Sequence, residues 1–321
     1  MPVPSRTRRL LIATAVAAVT LAGCGSSVPA ASGGPAGSPT GTAAGSVHST
    51  VAVVASTNVY ASIAAAIGGD RIRAFAILDK PSADPHSYEA TPDDQVKIAQ
   101  AQLVIANGGG YDDFVTRMLD AADPKPQLID AVEVSGLNKA GAATFNEHVF
   151  YSTQAMARLA AAIAAKLGEL DPAGTATFTR NAGTFTAGLR KIDAKAAAVK
   201  SAHPGIRALV TEPVADYLLV QAGITDATPA GFSKAIESEN DPSPKDIAEV
   251  ESMITHKSVG LLAYNVQTTG PVTDRLRRLA DTSGIAVLAV TETLPEGTAD
   301  YLTWMTGNID ALAKALTRTG T

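Results

Sequence analysis

The chain has 321 residues, of which 46% are hydrophobic and 18% are charged, a composition typical of a soluble globular protein. Its 26 basic and 31 acidic residues give a formal charge of −5, and no long basic run follows the first ten residues, so we expect no nucleic-acid partner. The single cysteine, Cys24, excludes an intramolecular disulfide and any zinc or iron–sulfur site built from several cysteines.

The N-terminus has the parts of a secretory signal: three early arginines, an apolar run over residues 10–22, and small residues before Cys24. The run has about 13 residues, too few to cross a bilayer. Its ending, Leu21-Ala22-Gly23-Cys24, resembles the lipobox of bacterial lipoproteins, in which the cysteine is acylated. We therefore predict a lipoprotein signal peptide over residues 1–23. The alternative, an ordinary signal peptide with an incidental cysteine, leaves the position of the only cysteine unexplained.

The segment 24–49 consists almost entirely of Gly, Ser, Ala, Pro and Thr, and His48 is its only titratable side chain. Such a composition cannot bury enough apolar surface to offset the entropy of ordering the backbone. We predict a flexible tether, with no function for His48.

From residue 50 onward, apolar strands alternate with helices. The pattern predicts strands at 51–55, 73–78, 103–107 and 127–130, and helices at 58–67, from 91, at 111–122 and at 150–170. The turn Gly108-Gly109-Gly110 lacks the lysine and threonine of a nucleotide-binding loop. This alternation is typical of an α/β domain with a mostly parallel sheet.

A second unit with the same alternation begins at residue 204. It has predicted strands at 208–211, 224–227, 259–264 and 285–291, and helices at 214–222, 244–256, 272–282 and 301–316. The proline-free stretch between the units predicts one long helix with an apolar face. We therefore predict an N-terminal lobe (50–174), a connecting helix (175–203) and a C-terminal lobe (204–321), with a ligand cleft between two α/β lobes whose relative motion the helix restricts.

Four side chains are candidate ligands. His86 and His148 lie in predicted loops, whereas Glu212 and Glu292 directly follow apolar strands, at the sheet edge where α/β proteins bind ligands. Imidazoles and carboxylates together suit a transition metal. Taken singly, each histidine could be a surface residue and each glutamate could cap the next helix. His203 and His256 are better explained as structural residues, and Tyr301 and Trp304 as packing residues.

The segments around these side chains resemble the metal-receptor lipoproteins of bacterial ATP-binding-cassette (ABC) importers, the zinc and manganese solute-binding proteins. The matching segments are Asp84-Pro85-His86-Ser87-Tyr88-Glu89 with Thr91-Pro92-Asp93, Glu147-His148-Val149, Thr211-Glu212-Pro213-Val214 with Tyr217, and Val290-Thr291-Glu292-Thr293. The resemblance runs from Cys24 to the end of the chain. Two departures are Glu292, where the family commonly has aspartate, and the absence of a histidine-rich acidic loop between residues 130 and 146.

The resemblance implies that His86, His148, Glu212 and Glu292 capture a divalent metal, Mn²⁺ or Zn²⁺, for delivery to an ABC permease and its cytoplasmic ATPase. It also implies a non-enzymatic, monomeric receptor anchored through Cys24 to the outer face of the cell membrane. Bidentate carboxylates would suit manganese and a closed tetrahedral site would suit zinc. The ligand types lean toward manganese or iron, whereas zinc's greater intrinsic affinity keeps zinc open.

Two alternatives use the same architecture. A surface-anchored metallohydrolase would need an open coordination position and a nearby general base. A receptor for an organic ligand, such as a chelated iron complex or a corrinoid, would keep the cleft but would not bind a bare ion.

Overall fold

The structure is a computed structural model that describes residues 50–80, 84–138 and 145–318. Cys24, His48 and the predicted signal peptide and tether lie outside the described residues. Within the described ranges, every helix is too short or too polar to cross a bilayer.

The N-terminal lobe is built on a four-stranded parallel sheet with the strand order β2-β1-β3-β4. Its strands are β1 (Val51–Thr57), β2 (Ile72–Leu78), β3 (Leu103–Ala106) and β4 (Gln127–Asp130). Its helices are α1 (Asn58–Gly68), α2 (Pro92–Gln100), α3 (Asp113–Asp120), α4 (Ala131–Ser135) and α5 (Thr153–Leu170). The central strands β1 and β3 are almost wholly buried because helices cover both faces, which explains their continuous apolar sequences.

The C-terminal lobe repeats this topology with the order β6-β5-β7-β8, again all parallel. Its strands are β5 (Arg207–Val210), β6 (Thr225–Asp226), β7 (Leu261–Asn265) and β8 (Ala286–Val290). Its helices are α7 (Asp216–Gln221), α8 (Ala230–Glu237), α9 (Pro244–Thr255), α10 (Pro271–Ser283) and α11 (Tyr301–Arg318). In each sheet the order in which the chain adds strands reverses between the two central strands. Parallel α/β sheets bind ligands in the crevice at the carboxyl ends of these strands.

The predicted connecting segment is the single helix α6 (Thr175–Ala202). Its 28 residues give a length of about 42 Å. Phe178, Phe185, Leu189 and Ile192 form its buried face, as the spacing predicted. The helix therefore belongs to the core along most of its length.

One hydrophobic core extends across both lobes, and a smaller cluster lies under the outer face of each sheet. Tyr301, at the start of α11, joins the lobes: its backbone N–H donates to Ser62 Oγ (2.9 Å) and its hydroxyl to the Phe150 carbonyl (2.7 Å). Tyr301 and Trp304 are both buried, so they are packing residues as expected.

Several predicted helix boundaries and assignments differ from the structure. The helix predicted at 111–122 spans only Asp113–Asp120 and follows a turn in which Gly108, Gly109 and Gly110 all have positive φ values. The helix predicted at 214–222 is divided into a 3₁₀ turn, Pro213–Ala215, and α7. The short helices α4 and α8 were not predicted, since so few residues give little periodicity.

Candidate metal centre

His86 lies between β2 and α2, in the described segment 84–91, which makes hydrogen bonds on both sides of the histidine. Asp84 Oδ1 accepts the His86 backbone N–H (2.9 Å). At the far end, Thr91 and Asp94 form the capping box of α2, and the Tyr88 hydroxyl donates to Asp94 Oδ2 (2.7 Å). The histidine therefore projects from a short segment with defined hydrogen bonds, and its side chain is 20% exposed.

His148 precedes a 3₁₀ turn (Val149–Tyr151) and is 1% exposed. Asn146 Oδ1 lies 3.0 Å from the His148 backbone nitrogen and 2.8 Å from its ring Nδ1. Because this amide oxygen can only accept, Nδ1 carries the proton of the neutral ring and Nε2 keeps its lone pair. Asn146 therefore prepares His148 to bind a metal through Nε2.

Glu292 comes from the C-terminal lobe, two residues after β8, and faces both histidines. Its Oε2 is 3.6 Å from His148 Nε2 and 3.9 Å from His86 Nε2. One ligand atom from each of the three residues lies within 4.8 Å of the others. Glu292 Oε2 is buried and has no hydrogen-bond partner among the described residues. A buried, unpartnered carboxylate oxygen facing two imidazole nitrogens is suited to a cation.

Glu212 lies beside this group and is not one of the three closely spaced ligands. Its Oε2 accepts from Thr268 Oγ1 (2.5 Å) and from Asn265 Nδ2. The same Asn265 nitrogen donates to Glu292 Oε1 (2.8 Å), so one amide joins the two carboxylates. Glu212 makes no side-chain cap to the following turn, and it is 4% exposed. Helix capping therefore does not explain this residue.

Burial and neighbouring charges shift the pKa values of Glu292, His148 and Glu212. Burial alone would raise the pKa of Glu292, but His148, His86 and Asn265 lower it below its ordinary value. Burial would lower the pKa of His148, but Glu292 raises it. Burial raises the pKa of Glu212 to about 7, against the effect of the Thr268 and Asn265 hydrogen bonds. The ion-free site therefore retains a proton that a metal would displace.

A further acidic group adjoins the site at His148. Ligand atoms of Glu147, His148 and Glu237 also lie within 4.8 Å of one another. Burial raises the pKa of Glu237, and the charge of Glu147 raises it further. Negative charge in a cleft concentrates cations there.

Sequence patterns did not indicate several uncharged residues that position the ligands: Asn146, Asn265, Gln267 and Thr268. Gln267 Oε1 accepts the backbone N–H groups of Glu292 and Thr293. One signal was available for Asn265, because it ends an apolar strand at the same sheet edge as the two glutamates. Asp93, which lies in the matched loop segment, is exposed.

The sequence profile of the family described as the periplasmic zinc-uptake complex component A, ZnuA, matches residues 53–315. The chain belongs to this family. The predicted family of metal receptors is thus confirmed.

Individual relatives agree with this assignment. The metal ABC transporter substrate-binding lipoprotein ScbA of Streptococcus cristatus is 24% identical over 285 residues, covering 83% of this chain and 89% of that protein. The manganese ABC transporter substrate-binding lipoprotein PsaA of Streptococcus anginosus is 24% identical over 287 residues, with the same coverage. Among solved structures, the periplasmic zinc-binding protein TroA from Treponema pallidum is similar with a TM-score of 0.72 and 19% identity, covering 84% of this chain and 99% of that one. This similarity confirms the predicted fold of two α/β lobes.

Proposed function

We propose that this ZnuA-family protein is the substrate-binding lipoprotein of an ABC importer and captures a divalent transition metal, Mn²⁺ or Zn²⁺, between its lobes. The observation that carries the proposal is Glu292 Oε2, buried without a donor and facing the Nε2 atoms of His86 and His148. The relatives are named as metal and manganese lipoproteins of ABC transporters, and TroA as a zinc-binding protein.

The charge of the site suits a divalent ion. Two neutral imidazoles and two ionised carboxylates, from Glu212 and Glu292, would balance the two positive charges. The buried histidine ligand, His148, is already oriented by Asn146 before any ion arrives. The cost of ordering the ligands is therefore already met in the folded protein.

The ligands come from both lobes, so a bound ion would join them. His86 and His148 belong to the N-terminal lobe, and Glu212 and Glu292 to the C-terminal lobe. Because α6 and the shared core connect the lobes along a long interface, capture is expected to cause a small rotation or a local loop movement. The permease would distinguish the loaded from the empty receptor by that change.

The site favours a receptor over the two alternatives. The ligand atoms of His86, His148 and Glu292 lie within 4.8 Å of one another, so all three can contact one bare ion, as a receptor for free ions requires. His148 and Glu292 are each 1% exposed, whereas a hydrolytic metal needs a position open to water and substrate. We therefore infer that the protein is not an enzyme.

We propose the cellular setting from the sequence and the relatives together. Cys24 would carry the lipid anchor at the outer face of the cell membrane, consistent with the lipoprotein names of the relatives. The protein would act as a monomer and deliver its metal to an ABC permease driven by a cytoplasmic ATPase.

Elemental analysis of protein purified under metal-limited conditions, followed by competitive titration with zinc and manganese, tests this function. We expect one divalent ion per chain, lost in a His86→Ala/His148→Ala double variant. A His203→Ala/His256→Ala double variant removes two histidines away from the cleft and should bind as the wild type does. Unchanged binding in the first variant would refute the site. Metal-dependent ester hydrolysis that His86→Ala abolishes would instead support the hydrolase.

A further inference from the structure

We propose that Asn265 makes the site selective for zinc over manganese by restricting each of the two glutamates to a single metal-binding oxygen. This inference rests on the proposed metal-receptor function and concerns which ion the same site prefers. Its basis is the set of hydrogen bonds made by one fully buried amide.

The orientation of the Asn265 side chain is fixed by its neighbours. Its Oδ1 accepts the backbone N–H of Gln267 (3.1 Å), and its own backbone N–H donates to Thr211 Oγ1 (2.9 Å). A backbone N–H can only donate, so the atom facing Gln267 must be the amide oxygen. Both hydrogens of Nδ2 are therefore directed to the other side of the side chain, where the glutamates lie.

Each of these hydrogens engages one carboxylate. Asn265 Nδ2 donates to Glu292 Oε1 (2.8 Å) and to Glu212 Oε2, which also accepts from Thr268 Oγ1 (2.5 Å). Glu212 Oε2 thus accepts two hydrogen bonds and Glu292 Oε1 accepts one, which makes both oxygens weaker donors to a metal than their unbonded partners. Glu292 Oε2, which has no partner among the described residues, is left for a metal. In Glu212 the oxygen outside these hydrogen bonds is Oε1, which would be the one to bind the ion.

This arrangement limits the number of protein ligands. One nitrogen from each histidine and one oxygen from each glutamate give four donors, the number that a closed zinc site uses. Manganese favours six oxygen-rich ligands and would need bidentate carboxylates or added waters. Bidentate binding would bring the ion to the oxygens that accept from Asn265 and would weaken those hydrogen bonds, in a site where Asn265 and Glu292 are buried. The structure thus points to zinc, although ligand type alone leaned toward manganese or iron.

The test compares zinc and manganese affinities of the full chain by competitive titration. Asn265→Ala frees Glu292 Oε1 and leaves Glu212 Oε2 with its Thr268 hydrogen bond alone. Asn181→Ala is the control, because Asn181 on α6 donates to the Ile67 carbonyl, away from the cleft. We expect the wild type to prefer zinc, and Asn265→Ala to reduce the zinc-to-manganese affinity ratio about 10- to 100-fold, the usual effect of losing a partner of a metal ligand. Asn181→Ala should keep the wild-type ratio.

Zinc K-edge X-ray absorption gives a second readout that a purely structural role would not change. We expect about four nitrogen and oxygen ligands in the wild-type protein and a higher number in Asn265→Ala. Asn265→Leu, which keeps the side-chain volume and removes both donors, serves if the alanine variant does not fold. The coordination number of zinc in the wild-type protein tests single-oxygen binding even if neither variant folds.

Several results would overturn the inference. An equal loss of affinity for both metals would make Asn265 a structural residue, and an unchanged ratio would remove its role in selectivity. Six-coordinate zinc in the wild type would contradict single-oxygen binding. These outcomes leave the metal-receptor function intact, whereas that function fails if the His86→Ala/His148→Ala variant still binds its metal.

Discussion

Asn146 connects a candidate metal ligand with the opposite lobe. Besides orienting His148, its Nδ2 donates to the Pro213 carbonyl (2.6 Å), and its own carbonyl accepts from the Tyr217 hydroxyl (2.7 Å). Pro213 directly follows Glu212. A movement of Glu212 on metal binding is therefore coupled to the residue that fixes the ring of His148.

Replacing Asn146 with alanine should weaken metal binding about 10- to 100-fold, because the ring of His148 loses its orientation and its defined tautomer. Competitive titration measures the effect. Asn240→Ala, an exposed asparagine on the C-terminal lobe, is the control and should bind as the wild type does. Wild-type affinity in Asn146→Ala would show that packing alone orients the ring.

Metal binding should become tighter as the pH rises through about 7. The pKa of Glu212 is raised to about 7, mainly by burial, and that of His148 is raised by Glu292 despite burial. A metal must displace the protons that these groups carry, so binding releases protons near neutral pH. Calorimetric titration in buffers of different ionisation enthalpy counts the protons. Glu212→Gln should release fewer, and equal release would contradict the assignment.

The same shifts determine how the ion-free protein responds to pH. Glu212 has a raised pKa, so the folded state prefers its neutral form and loses stability as the pH rises above the ordinary carboxyl pKa. The contribution of His148, also raised, is present at low pH and is lost as the pH rises through its folded value. We expect the metal-free melting temperature to fall between about pH 5 and pH 8, and added metal to reverse the fall.

The sequence indicated the four histidine and glutamate candidate ligands but not the amides that position them. Glu212 and Glu292 were recognisable because each follows an apolar strand, and His86 and His148 because they lie in loops with matching motifs. Asn265 and Gln267 act through contacts between β7 and residues that are distant in sequence. Such contacts depend on the order of strands in the sheet, which alternation alone does not determine.

At the level of elements, the start of α2 supports the loop that carries His86. Asp94 accepts from the Thr91 backbone and hydroxyl, from the Tyr88 hydroxyl and from Lys97. Burial would raise the pKa of Asp94, but these hydrogen bonds lower it well below its ordinary value. The ionised carboxylate therefore joins the helix start to the metal-binding loop.

Asp94→Asn should destabilise the protein by about 1–2 kcal/mol at pH 7, because the amide cannot accept all of these bonds. A lowered folded pKa stabilises above the unfolded pKa, and that contribution is lost as the pH falls. The difference between variant and wild type should therefore shrink below about pH 4. Denaturant titration at several pH values measures it, with Asp93→Asn, an exposed neighbour, as the control. A difference independent of pH would exclude the charge as its source.

The start of a strand or helix was predicted correctly where an apolar sequence pattern marks residues that are buried in the structure. The strand β3 and the helix α6 begin where the sequence predicted, since a buried apolar run and a long apolar face mark them. The helix α4 follows β4 directly and was missed, although Asp130 caps it by accepting the Glu133 N–H (2.8 Å). A cap without a following periodic stretch gave too weak a signal.

For the whole molecule, the core shared by the lobes argues against independent domains. Residues from both sheets and from α5, α6 and α11 form one continuous cluster. Paired hydrogen bonds between Asn58 and the Leu294 backbone also cross between the lobes (3.1 and 2.8 Å). Opening the cleft widely would expose this core, so large motions are costly.

We therefore expect the metal-free protein to unfold in one cooperative transition. Calorimetry should give a calorimetric enthalpy equal to the van't Hoff enthalpy. Asn58→Ala should lower the midpoint without splitting the transition, because the hydrophobic cluster still joins the lobes. Two resolved transitions, one for each lobe, would contradict the shared core.

The packing of α11 also gives the protein a built-in optical reporter. Trp304 is the only tryptophan of the chain, and its indole N–H donates to Thr291 Oγ1 (3.1 Å), on the residue immediately before Glu292. Any shift of Glu292 toward an arriving ion changes the surroundings of this single fluorophore. The kinetics of capture and release can thus be followed by stopped-flow emission from the unlabelled protein, with the ring in α11 reporting on the ligand at the end of β8.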